Sequence, residues 1–287
     1  MPFVERDGVK LHYEETGQGD AIVWLHEFAA DLRTWEAQVR RFSRDYRCIT
    51  YNARGYPPSD VPNGDEAYGY EQQRDDLIGL MDGLGIESAH LVGLSMGAYT
   101  ALQAALAYPD RVRSVVFSSG GSGAYQPDRE RFLQDMAAAA DRMREHGMEA
   151  VADGIAKGPT RLPLLRKDPR GWAEFRRYLG EHSALGSALT MKNFQGKRPS
   201  LYDFEERLKG LDTPVLLAAG DEDDPVIEVN IFLKRTLPRA GLWIHPRTGH
   251  GMNLEEPDAY NRQIADFLAA VERGGWAPGE PGLRPPG

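Results

Sequence analysis

Hydrophobic and polar positions alternate along Val9 to Glu14 and, more loosely, along Phe3 to Arg6, with Asp7-Gly8 between them; this predicts a half-buried hairpin. The pattern then changes. Ala21 to Leu25, Cys48 to Tyr51, Ala89 to Leu94 and Val112 to Phe117 are short, mostly apolar runs, as strands covered on both faces require. Between them Leu32 to Phe42, Tyr70 to Leu84 and Tyr99 to Ala107 carry apolar residues at helical spacing. Strand, helix, strand, helix in succession predicts a doubly wound α/β core with a mostly parallel sheet flanked by helices. From about Gly120 to Ser200 the alternation stops, and the chain becomes helix-rich and charged, clearest over Arg129 to Glu145 and Trp172 to His182. It resumes with Val215 to Ala219, Ile227 to Leu237, Leu242 to His245 and a last helix from Asp258 to Val271. The reading is therefore a core of residues 1–119 and 201–273, a helical cap inserted at 120–200, and a Pro/Gly-rich tail, 274–287, expected to be disordered.

Charge and cysteine usage narrow the partners. A formal charge of −9 and a pI near 5.4 leave no basic stripe for phosphate, which argues against nucleic acid. No apolar run reaches the roughly 20 residues that a bilayer span needs, so no membrane partner is expected. The single cysteine, Cys48, reads as a small core residue; with no signal-peptide pattern, the cytoplasm is the expected compartment. The expected partner is a small-molecule substrate, and a homo-oligomer is left open.

Gly93-Leu94-Ser95-Met96-Gly97 lies where an apolar strand gives way to a helix, the context in which G-x-S-x-G presents a serine hydroxyl above a sheet edge. A hydroxyl is a weak nucleophile at neutral pH and needs a neutral imidazole, itself oriented by a carboxylate. His250 sits in the loop after the last predicted strand, at the same carboxyl edge as Ser95. Asp221, Glu222, Asp223 and Asp224 follow the strand before it and reach that edge too; spacing leaves open which of the four faces His250.

With those residues in place, the chain resembles the α/β-hydrolase superfamily, in its capped esterase-like branch, from about Phe3 to Val271. The resemblance implies Ser95 as nucleophile, His250 as base and, three residues after the strand-ending glycine, Asp223 as the acid, with Asp224 next. The segment Gly249 to Pro257 is similar to the family's histidine loop, and Asn52 to Asp60 to its Arg-Gly loop, where Arg54 is read as structural. It implies an oxyanion hole from the backbone amides of Met96 and Phe28. The chain departs from the family at His26-Glu27-Phe28-Ala29, where Glu27 stands in place of a glycine and His26 reads as a loop anchor. It implies no cofactor and no metal.

The pocket is expected to draw on Glu27, Leu94, Tyr125, Trp172 and Met252. Arg161, Arg166, Lys192, Lys197 and Arg198 are candidate partners for a substrate carboxylate, although solvated helix faces explain them better. The implied reaction is hydrolysis of a carboxylic ester or lactone of a small, largely apolar substrate through an acyl-enzyme. Its alternatives are carbon–carbon bond hydrolysis or perhydrolysis on the same fold, or ligand reception on a hydrolase scaffold. Leu94 before the serine and the His26 to Ala29 loop count against the carbon–carbon chemistry.

Overall fold

The computed structural model describes residues 1–279. The chain opens with strands β1 (Phe3–Arg6) and β2 (Val9–Thr16), paired antiparallel across Asp7-Gly8. Both turn residues have positive φ, 49° and 76°, the backbone twist a tight hairpin needs. There follow β3 (Ala21–Leu25), α1 (Glu36–Phe42), β4 (Arg47–Tyr51), α2 (Tyr70–Gly83), β5 (Ala89–Leu94), α3 (Met96–Ala107) and β6 (Val112–Ser118). The strands lie in the order β1-β2-β4-β3-β5-β6, antiparallel as far as β4 and parallel thereafter.

After β6 the chain leaves the sheet. It forms α4 (Gln126–His146), α5 (Met148–Ala156), α6 (Leu162–Lys167), α7 (Pro169–Gly180), α8 (Ala184–Thr190), a π-helical turn (Met191–Gln195) and α9 (Glu205–Lys209). It returns as β7 (Val215–Gly220), α10 (Asp224–Thr236) and β8 (Ala240–His245), extending the parallel sheet beyond β6, and closes with α11 (Met252–Glu255) and α12 (Pro257–Glu272). This is the mostly parallel, helix-flanked sheet that the sequence pattern predicts and the α/β-hydrolase fold that the resemblance implies.

Strand parity divides the core. Val23, Leu25, Leu91, Val115, Phe117, Val215 and Leu217 pack on one face with Leu102 and Leu233 from the helices; Ile22, Trp24, Val92, Leu94, Val116 and Leu216 pack on the other with Phe42, Ile264 and Phe267. Successive strand residues point to opposite faces, and both faces are covered, so the strands read as continuous apolar runs.

The tail does not begin as expected. Trp276 meets the Phe267 ring edge to face, centroids 4.7 Å apart, donates from Nε1 to the Arg239 carbonyl at 2.9 Å, and receives the Arg239 guanidinium on its own carbonyl. Gly241 makes room for that ring, since a Cβ there would stand 2.5 Å from it. Proline and glycine content described the backbone of this stretch but not its aromatic anchor. The remainder of the tail, 280–287, lies outside the described residues. Among the described residues no helix is long and apolar enough to cross a membrane.

Candidate active site

Ser95 joins β5 to α3 with φ 53° and ψ −104°, a conformation that L-residues adopt at a cost of about 1–3 kcal/mol. Two glycines permit it. A Cβ on Gly93 would collide with the Gly97 backbone, and one on Gly97 with the Leu25 carbonyl, so the turn closes only without side chains there. The Ser95 amide donates to the Ser118 carbonyl at 2.8 Å, tying the turn to β6. The hydroxyl of this half-buried residue has no hydrogen-bond partner among the described residues.

His250 and Asp223 come together at the same sheet edge. Gly220, ending β7, pairs with His245, ending β8, and a Cβ on Gly220 would strike the Thr248 carbonyl; the two following loops are therefore packed backbone to backbone. Asp223 is 1% exposed, and its Oδ2 accepts from His250 Nδ1 at 2.7 Å. A carboxylate only accepts, so that bond places a proton on Nδ1, and in the neutral ring Nε2 is then the nitrogen with the lone pair. Asp224, by contrast, is exposed at the start of α10. Asp221 accepts from the Thr248 amide at 3.3 Å, and Glu222 pairs with Arg166 at 2.8 Å.

The histidine loop has a second clamp, which sequence reasoning missed although Glu255 lies within the motif that pointed to it. The Glu255 carboxylate accepts from the amides of Gly249 (2.8 Å) and Gly251 (3.2 Å), on either side of His250. Burial pushes the Glu255 carboxyl up, while those amides and Lys167 pull it back toward the charged form.

Phe28, in the loop after β3, and Met96, at the start of α3, both lie at this edge. Neither amide has an acceptor among the described residues; Met96 opens α3, where the first amides have no intrahelical partner. Tyr56 Oη donates to the Phe28 carbonyl at 3.0 Å and lies 4.0 Å from Met96 Sδ, holding both stretches from behind. His26 anchors the first of them: its Nε2 accepts from the Ala53 amide at 3.0 Å, and its Nδ1 donates to the Glu27 carbonyl at 2.7 Å. Burial pulls the His26 imidazole down to about 4, which keeps it neutral. Arg54 is buried in a paired grip on Asp76, both contacts at 2.6 Å.

Glu27 is buried at 2% exposure, with Oε2 3.9 Å from His250 Nε2. Its charge is met by Arg161, from the turn before α6, which donates from Nη1 to Oε1 at 2.6 Å and from Nη2 to Oε2. Burial pushes the Glu27 carboxyl up, but Arg161 outweighs it and holds the group below its usual range. The solvated-face explanation of Arg161 therefore fails. It fails for Arg198 too, which is 4% exposed, donates to the Ser122 carbonyl at 2.7 Å and lies over the rings of Tyr99, Phe194 and Phe132. No carboxylate among the described residues pairs with it, one guanidinium nitrogen has no partner, and burial pulls it down to about 10. Arg166 and Lys192 do lie at the surface, each on an acidic partner, and Lys197 is exposed.

Three of the expected pocket residues lie elsewhere. Leu94 and Met252 belong to the core between the sheet and α12, because Leu94 shares the strand face of Val92 and Met252 turns down toward Tyr260. Trp172 donates from Nε1 to the Ala156 carbonyl at 2.7 Å, a bond internal to the insertion. Tyr125 is 36% exposed in a surface groove with Asp128, Phe132 and Pro225. Only Glu27 stands beside His250. Among the described residues no group of three or more His, Cys, Asp or Glu is placed to hold a metal ion.

The architecture has relatives. A family model described as the alpha/beta hydrolase fold matches residues 20–257. The chain is 31% identical over 274 residues to a 2-hydroxy-6-oxo-6-phenylhexa-2,4-dienoate hydrolase of Burkholderia cepacia, covering 91% of each chain. It is 27% identical over 260 residues to 3-oxoadipate enol-lactonase 2 of Acinetobacter baylyi (strain ATCC 33305 / BD413 / ADP1), covering 89% of this chain and 92% of that one. Among solved structures, a thermophilic esterase from Thermogutta terrifontis superposes with a TM-score of 0.83 at 26% identity, over 94% of this chain and 98% of that one.

Proposed function

Since the chain belongs to the α/β-hydrolase family, we propose that it hydrolyses a carboxylic ester or lactone through an acyl-enzyme on Ser95. One observation carries the reading: a serine strained at φ 53° between strand and helix shares a sheet edge with an imidazole bonded to a buried carboxylate at 2.7 Å. His250 Nε2 takes the Ser95 proton as the oxygen attacks the carbonyl, and Asp223 stabilises the resulting imidazolium. The free amides of Phe28 and Met96 receive the oxyanion. The imidazolium protonates the departing alkoxide; water, deprotonated by the same nitrogen, then releases the acid. The helical insertion acts as the cap, since the Thr160 carbonyl accepts the His250 amide at 2.9 Å and Arg161 reaches Glu27.

A second reading is hydrolysis of an oxo-dienoate at a carbon–carbon bond. It is favoured by the dienoate hydrolase at 31% identity and by Arg198, a buried cation with no acidic partner among the described residues, over the ring of Tyr99, one helical turn from Ser95. A panel of p-nitrophenyl esters, lactones and a 2-hydroxy-6-oxo-dienoate separates the two. Fastest turnover on an ester or lactone, lost in Ser95→Ala, is the expected result. Preference for the dienoate would transfer the assignment to the second reading, and a Ser95→Ala variant as fast as wild type would remove both.

A further inference from the structure

Glu27 stands where the family resemblance implies a glycine, and its carboxylate lies 3.9 Å from Nε2 of His250. A carboxylate there is a hazard for a general base. Nε2 has to be neutral to take a proton from Ser95, and an uncompensated negative charge about 4 Å away favours the imidazolium by one to three pH units. Arg161 meets both Glu27 oxygens and so cancels that charge at its source. Its own place is fixed: the guanidinium lies over the Phe175 ring at 5.0 Å, and the adjoining Thr160 carbonyl holds the His250 amide at 2.9 Å. One turn of the insertion thus locates both the histidine and the cation that screens it.

We propose that Arg161 is a positioning residue that keeps the His250 imidazole available to Ser95 by holding Glu27 in a closed ion pair. The inference rests on the reading of His250 as the base. The charged groups around that ring come from four elements. Asp223, after β7, bonds to Nδ1; Glu27, after β3, approaches Nε2; Arg161, before α6, closes on Glu27; and Glu255, in α11, is engaged by the Gly249 and Gly251 amides, with Lys167 beside it at 3.5 Å. With Arg161 removed, Glu27 becomes an unpaired carboxylate at the ring, and the imidazolium is held between two acids. With Glu27 removed instead, Arg161 is left as an unpaired cation and opposes the imidazolium. The two variants push the ring in opposite directions, which a pair serving only to fasten the insertion to the core does not do.

The test is a titration of the His250 imidazole by nitrogen-15 NMR in the full chain, for wild type, Arg161→Met, Glu27→Gln and the double variant. The expected midpoint rises by about one pH unit or more in Arg161→Met, falls by about one in Glu27→Gln, and returns close to wild type in the double variant. Single variants that leave the midpoint in place, or move it the same way, would overturn the proposal. Should Arg161→Met fail to fold, Glu27→Gln decides alone: a fall supports the proposal and an unmoved midpoint overturns it. The titration needs no turnover. A protein inert to every substrate but showing opposed shifts would lose the hydrolase reading and keep this one; an active esterase with unmoved midpoints would do the reverse.

Discussion

Along the carboxyl edge of the sheet, chemistry-bearing side chains are set by the backbone that precedes them, whereas in the helical insertion they are set by other side chains. Ser95 follows β5 directly, Asp223 lies three residues beyond the end of β7, and His250 five beyond the end of β8. Once the strands are in register, all three positions lie at that one edge. Arg161 and Arg198, in contrast, come from irregular stretches between helices, and what each does depends on whether a partner waits for it. Glu27 waits for Arg161; no acid among the described residues waits for Arg198. The difference teaches that strand order is enough to bring His250 and Asp223 together. The charge around them is tuned by contacts that leave no local pattern.

The largest expected effect breaks the edge itself. Asp223→Asn preserves the fold but lets the imidazole take the wrong tautomer, so turnover should fall about ten-thousand-fold with little change in KM. A fall below ten-fold would mean that Asp223 does not orient His250. Next come the two arginines. Arg161→Met leaves Glu27 buried and unpaired and should lower unfolding free energy by about 3–5 kcal/mol; Arg198→Met removes a desolvated charge that has no acidic partner and should be neutral or stabilising. Urea midpoints measure both, and equal losses would erase the contrast between a paired and an unpaired cation.

That contrast also explains what could be read in advance. Eight strands and the Ser95 turn were legible because apolar periodicity and two glycines constrain the backbone locally; the histidine followed from its place beyond a strand end, whereas spacing left four acids open and the family resemblance singled out Asp223. Leu94 was misjudged for a reason that the sequence contains: it has the parity of Val92, so it faces α12. The bond of Trp172 is one that no local pattern contains, since its partner is a backbone carbonyl 16 residues away in another helix. The Glu27–Arg161 pair spans 134 residues, and no periodicity links its ends. Glu255 had a signal, a carboxylate five residues after the histidine, but its bonds to Gly249 and Gly251 needed the loop to be closed.

A third effect comes from pH. Burial pulls both His26 and His90 down to about 4, so the folded chain holds them neutral where the unfolded chain binds protons. The stability they contribute is complete above pH 6.5 and is lost as pH falls toward 4, by up to about 1.4 kcal/mol per pH unit for each histidine. Unfolding free energies from urea titrations at pH 7.5, 6, 5 and 4, the pH values being set by about that window, should trace this decline. A flat profile would contradict the burial of both rings as charge-excluding sites. The smallest effect belongs to the insertion: Trp172→Phe keeps the ring contacts but removes one bond to the Ala156 carbonyl, and should cost about 1 kcal/mol with kcat unaltered. A loss of turnover would bring Trp172 into the site after all.

The most direct measurement is covalent labelling of the intact wild-type protein with a serine-reactive phosphonate, followed by peptide mapping of the adduct. The account predicts one phosphonyl group per chain on Ser95 and none in His250→Ala, where the base is gone. Labelling of wild type at another serine, or no labelling under conditions that inactivate other serine hydrolases, would contradict it.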